Sequence, residues 1–309
     1  MTSISLDRLR RFGRPPTTAA AGQAEARPKP KAVPLPATAV TTLWVLVTVS
    51  LLALWFVLYA LVFSAIQQHR TNAVMYSQLR QGLSEATTPI GGAVRPSTPI
   101  ALLQLSAAGL PASVVVEGTG SRDLAKGIGH RRDTPFPGQP GTSILYGRSL
   151  TFGGPFKHLK DLKPGTTFTM TTGQAALTYT VDGVRRVGDP LPPPSPSGTS
   201  RLILETSTGS AFAPSKPLFV DATLKGTAQA SAGRAVATVP SSEQAFGVDS
   251  SGLATLVFWL QGMLLAGVVT VWAATRWGRK QAWIIGIPLV LAALWGASGY
   301  VMLMLPNLV

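Results

Sequence analysis

The sequence predicts a membrane-anchored, mainly-β protein with one N-terminal and two C-terminal transmembrane helices. Two observations carry that expectation. Residues 43–66, 253–275 and 282–305 contain no charged side chain. Between the first and second of these stretches, the chain breaks into short β-like runs separated by Gly and Pro.

The composition agrees. Of 309 residues, 46% are hydrophobic and only 13% charged, with a mean hydropathy of +0.27, whereas soluble domains carry about 25% charged residues. Each apolar stretch is 23 or 24 residues long. That is enough to cross a ~30 Å hydrocarbon core at ~1.5 Å rise per residue. A core helix of a soluble protein is seldom apolar on every face over such a length. The first stretch exceeds a 7–15-residue signal-peptide core, and about 40 residues precede it, so it reads as an uncleaved anchor.

A net charge of +14 and a pI of 10.8 would suit nucleic acid, but the distribution points to a membrane. Residues 1–42 hold seven basic and two acidic residues, and 67–252 hold seventeen and eleven. The loop 276–281 holds Arg276, Arg279 and Lys280 with no acid. More than half of the excess therefore flanks the apolar stretches. By the positive-inside rule, 1–42 and 276–281 are expected in the cytoplasm, and 67–252 and the C-terminus outside it. Trp44, Tyr59, Trp259, Trp283 and Tyr300 suit interfacial anchoring. No nucleic-acid module is present, and membrane lipids are the expected partners of the basic tail. The chain has no cysteine, which excludes disulfides, thiolate metal sites and a cysteine nucleophile. No metal or cofactor is expected.

In chain order, 1–42 reads as a disordered basic tail and 43–66 as the first span. Residues 67–98 read as a stalk whose first part, 72–83, is helical. Residues 99–225 form the β domain, with runs at 100–105, 113–116, 143–146, 166–171, 177–184, 202–205 and 218–224 and a helical turn at 157–162. Within it, Leu191-Pro-Pro-Pro-Ser-Pro-Ser-Gly198 is expected to be extended and stiff. Residues 226–252 read as an Ala/Gly/Ser-rich linker. Then follow the second span (253–275), the loop (276–281) and the third span (282–305).

The β domain resembles the sortase family, in particular the actinobacterial class E type. The matching stretches, in family order, begin with Pro99-Ile-Ala-Leu-Leu-Gln-Leu105, Val114-Val-Val-Glu-Gly-Thr119 and Gly127-Ile-Gly-His130. Thr134-Pro-Phe-Pro-Gly-Gln-Pro-Gly141, Gly153-Gly-Pro-Phe156 and the strand pair around 202–207 and 218–224 follow. The resemblance implies an eight-stranded β barrel at the surface of a bacterial plasma membrane. It also implies descent from enzymes that cut a sorting signal after threonine and join it to an amine, often on the cell wall. In such enzymes a Cys thiolate attacks the carbonyl, a His moves protons and an Arg donates to the oxyanion.

This sequence departs at all three positions. Tyr146-Gly147-Arg148 puts Arg148 where the His belongs, and Ile203-Leu204-Glu205-Thr206-Ser207 puts Ser207 at the Cys position. The Arg position falls on Lys216 or Pro217. A guanidinium stays protonated and cannot act as a base, and a serine without a base is a poor nucleophile. None of the three histidines substitutes readily: His69 lies at the membrane edge, His130 matches a noncatalytic family position, and His158 is expected to face solvent.

Three functional readings remain open. The domain is a catalytically dead sortase that binds a sorting-signal peptide, or scaffolds or assists an active sortase. In that reading, Glu205 and Arg148 either pair across the old site or are solvated at its rim. Alternatively, Ser207 and Lys216 form a Ser–Lys dyad. Or the chain is a structural subunit of a membrane complex, with Gly262, Gly267, Gly286, Gly296 and Gly299 marking close helix contacts.

Overall fold

The computed structural model describes residues 36–309, at Pro111 the backbone alone. The expected basic tail lies outside the described residues as far as residue 35. The chain divides into two units, 1–48 and 49–309. The described part of the first is helical from Ala37.

Helix α1 (Ala37–Leu58) runs through a π-helical turn, Tyr59–Phe63, into α2 (Ser64–Ser84). Three helices are long and apolar enough to cross a membrane: Ala37–Ser84, Ser250–Arg276 and Arg279–Leu303. The cores of the last two are α4 (Leu253–Arg276) and α5 (Arg279–Leu303), after a short α3 (Ser121–Leu124) in the β domain.

Eight strands lie between α2 and α4. They are β1 (Pro99–Leu105), β2 (Leu110–Glu117), β3 (Ile128–His130) and β4 (Gly141–Tyr146). Then come β5 (Thr167–Thr172), β6 (Ala176–Arg186), β7 (Ser200–Ser210) and β8 (Ala213–Lys225). They close into a barrel in the order β1-β2-β3-β4-β7-β8-β6-β5. The expected eight-stranded fold is present. β3 carries no run in the sequence long enough to announce it; it pairs parallel to β2 and antiparallel to β4. The expected helical turn is the single 3₁₀ turn Leu159–Asp161.

Alternation fills the barrel. Leu103 and Leu105 on β1, Phe168 and Met170 on β5, Leu202 and Leu204 on β7 and Val220 and Ala222 on β8 are all buried in one core. Phe168 stacks on Tyr179 with ring centroids 5.5 Å apart. The Val, Leu, Phe and Met side chains among these each contribute about 1.5–3 kcal/mol on burial. Since Leu202 and Leu204 point inward, Ile203, Glu205 and Ser207 point out from the barrel.

The segments expected to be stalk and linker pack on this barrel. Leu79 of α2 buries against Val114 and Val116, and the Asn72 carboxamide accepts from Val114 N–H at 2.9 Å. In 226–252, Thr119 donates to the Glu243 carbonyl at 2.6 Å, and Arg132 pairs with Glu243 at 3.2 Å. The barrel meets the helices at one end: Phe152 N–H donates to Ser64 (2.9 Å), Arg122 pairs with Asp249 (3.5 Å), and Ser121 bonds Asn307 (2.9 Å).

Two of the five marked glycines make the α4–α5 contact. A Cβ on Gly286 would collide with Thr270, and one on Gly296 with the Trp259 ring. Gly299 approaches the Tyr59 hydroxyl, while Gly262 and Gly267 face open space.

Candidate functional site

β4 and β7 run parallel, with Tyr146 opposite Glu205. Arg148, just past the end of β4, and Ser207 on β7 therefore lie side by side. Gly147 makes this turn possible, because a Cβ there would run into the Phe156 ring. Gly147 N–H donates to the Glu205 carbonyl (3.0 Å), and Thr206 donates to the Gly147 carbonyl (2.9 Å), which ties the two strand ends together.

Arg148 is wholly buried. Its Nη1 donates to Thr151 Oγ1 (3.2 Å) and lies 3.5 Å from the Val309 carbonyl; Nη2 donates to the Ser121 carbonyl at 3.3 Å. The guanidinium lies over the Phe152 ring, 4.8 Å from its centroid, and Nε has no hydrogen-bond partner among the described residues. Phe152 holds a left-handed backbone (φ 51°) to reach that position, which is unusual for a bulky residue. Desolvation lowers the Arg148 pKa to about 9, which still leaves the group charged at neutral pH.

Neither alternative for Arg148 and Glu205 is met: no ion pair joins them among the described residues, and both are buried rather than solvated at a rim. Arg148 turns toward Ser121 and Thr151, whereas Glu205 lines an open cavity of about 760 Å³ with Arg131, Tyr146, Phe219 and residues 244–248. Glu205 is 6% exposed. Burial raises its pKa to about 7, against the opposing pull of Arg131 and Arg185. The side chains that neutralise those two arginines are Asp133 and Asp221, at 2.8 and 3.0 Å.

Ser207 is 5% exposed. Its hydroxyl is 2.7 Å from the Leu308 carbonyl and 2.8 Å from Ser149 Oγ, which is itself 3.0 Å from the same carbonyl. Two hydroxyl protons serve three contacts, so one hydroxyl donates to the carbonyl and the other donates to its neighbour. No imidazole, amine or carboxylate is hydrogen-bonded to Ser207 among the described residues.

Lys216 does not complete a dyad with Ser207. The register pairs Ser207 with Pro217 and Thr208 with Lys216. Residues directly opposite share a face, so the exposed Lys216 projects to the other side of the sheet from Ser207. Lys157 and Lys160 do line a cavity of about 240 Å³ beside Ser207. Of the histidines, His69 is exposed and His158 is half-exposed, 3.5 Å from Asp161. His130 is fully buried, its Nδ1 2.7 Å from Glu117 and its Nε2 3.0 Å from the Pro135 carbonyl. These contacts occupy both ring nitrogens, so His130 ties β3 to β2 inside the barrel and does not reach Ser207.

Sequence reasoning missed Ser149, Thr151, Ser121 and residues 307–309. A cluster of hydroxyl residues after Arg148 was readable; nothing in the sequence linked a short segment beyond the third span to this site.

Residues 103–206 match the family model for the sortase domain. The matched residues lie within the β barrel, which has the sortase fold. Among solved structures, it is similar to a sortase D5 transpeptidase from Clostridium perfringens. That match has 18% identity over 51% of this chain and 99% of that chain, with a TM-score of 0.43. Sortase E from Streptomyces avermitilis is similar at 27% identity over 49% and 100% of the two chains, TM-score 0.37. The SrtA sortase from Actinomyces oris is similar at 23% identity over 44% and 85%, TM-score 0.40. No curated protein matches the chain.

Proposed function

We propose that this is a membrane-anchored sortase-family pseudoenzyme whose barrel, on the outer face of a bacterial plasma membrane, binds peptide without transferring it. The observation that carries this reading is the surroundings of Ser207, whose hydroxyl, among the described residues, hydrogen-bonds only to another hydroxyl and a peptide carbonyl. Acyl transfer needs an activated nucleophile and a group that cycles a proton. Arg148 stays protonated at neutral pH, and Lys216 faces away. Hydroxyl and guanidinium donors that already hold peptide carbonyls are suited to binding an extended peptide, and that capacity does not depend on a thiol. The outward placement rests on the basic flanks. An assisting role beside an active sortase fits the same geometry.

The test is incubation of the purified full chain with sorting-signal peptides and an amine acceptor, read by mass spectrometry. The expected result is no cleavage and no transfer. Turnover that Ser207→Ala abolishes would overturn the reading and return a serine mechanism, with Lys157 or Lys160, which line the cavity beside Ser207, as candidate bases.

A further inference from the structure

Residues 306–309 follow α5 with only Met304 and Leu305 between, and every one of 307–309 is fully buried. They are held as a bound peptide is held. Asn307 uses both side-chain donors and its acceptor oxygen: Nδ2 donates to the Ser242 and Gln244 carbonyls, each at 2.7 Å, and Oδ1 accepts from Ser121 at 2.9 Å. Its backbone N–H donates to the Gly247 carbonyl at 3.1 Å. The Leu308 side chain enters an apolar pocket with Leu124, Tyr146, Ile144 and Phe246. The Leu308 carbonyl lies at Ser207 and accepts from Ser149 N–H at 3.0 Å. The Val309 carbonyl accepts from Thr151 at 2.6 Å, beside Arg148.

We propose that segment 306–309 is an intramolecular peptide ligand seated over Ser207 and Arg148, so that the site is closed in cis and a second peptide enters only after the segment leaves. Packing alone does not account for the arrangement. A chain segment that merely covered an apolar patch would not bring one carbonyl to Ser207 and the next to Thr151, or pair an Asn with both walls of the cleft. Removing the segment would take away the carbonyls that Thr151 Oγ1, the Ser149 N–H and the Ser149–Ser207 hydroxyl pair donate to, a cost that another peptide backbone relieves. The short tether to α5 holds the ligand at a high local concentration. The part of this inference that concerns a second peptide rests on the binding role proposed above; the seating in cis does not.

Since the chain has no cysteine, one introduced cysteine is a unique thiol. In the full chain in nanodiscs, Val309→Cys should react with a bulky hydrophilic maleimide at least about tenfold slower than exposed Ser210→Cys, the ratio a tethered ligand of even modest affinity gives. Equal rates overturn the proposal. Ser207→Cys should become reactive when 306–309 are removed, and also in the full-length chain carrying Leu308→Asp, which puts a charge in the apolar pocket. Ser143→Cys, at a buried position on β4, should stay protected in both backgrounds and report that the barrel is intact. Ser207→Cys equally slow in both backgrounds with Ser143→Cys protected overturns it as well. A labelled Leu-Pro-Asn-Leu-Val peptide should then bind the shortened chain and not the full one. Protection of Val309→Cys with no peptide uptake by the shortened chain upholds the seating in cis and removes the binding role.

Discussion

At the scale of single residues, the Glu205 carboxyl is held near 7 by burial, against an ordinary 4.5. Between those pH values the folded chain keeps a proton that the unfolded chain has released, so stability falls as pH rises across the window and is unaffected below it. Glu205→Gln removes the ionisation. Its thermal midpoint should match the parent near pH 4 and exceed it at pH 8, by the equivalent of on the order of 3 kcal/mol at most. A difference that stays constant from pH 4 to 8 would contradict the desolvation. Ser207→Cys should restore the nucleophile atom but not turnover, because Arg148 cannot take and return a proton; single-turnover mass spectrometry for an acyl-enzyme adduct checks it. The loss of His and Cys was plain in the sequence. The partners of Arg148 were not, because a guanidinium on the end of a strand can turn to either side, and only Gly147 lying against Phe156 decides which.

Elements make a different set of predictions. α4 and α5 meet through Gly286 and Gly296, each facing a side chain of the other helix. Gly296→Val should overpack against Trp259 and destabilise by about 1–3 kcal/mol, seen as a lower melting temperature in detergent. Gly262→Val, facing open space, should leave it unchanged. The five glycines were equally visible in the sequence. Which of them face a partner depends on the crossing of two helices, which no periodicity within either one specifies. The β7–β8 register is a similar case: a one-residue ambiguity in aligning Lys216 or Pro217 becomes the difference between two faces of a sheet. With Pro217 opposite Ser207, Lys216→Ala should leave peptide binding by the shortened chain unaltered, as titration would reveal.

For the whole molecule, the question is which side of the membrane the sortase domain faces. Its barrel meets the helices at Ser64, Asp249 and Asn307, whereas the basic loop between α4 and α5 lies at the other ends of those helices. In intact cells, Ser250→Cys should therefore label with a membrane-impermeant thiol reagent, and Gln281→Cys should label only after permeabilisation. The reverse pattern would put the domain in the cytoplasm and end the proposed surface role.

The sequence by itself determined the three membrane-length helices and the barrel. Charge-free runs and alternating strands bury their side chains whatever their neighbours do, and the family motifs keep their order along the chain. It also determined that no thiolate exists. Only the tertiary structure decided what occupies the site. The contacts of residues 306–309 with Ser207, Ser149 and Thr151 join positions some 100 to 160 residues apart. Such contacts come from α5 ending against the mouth of the barrel, and a four-residue segment carries no local pattern from which that meeting could be read.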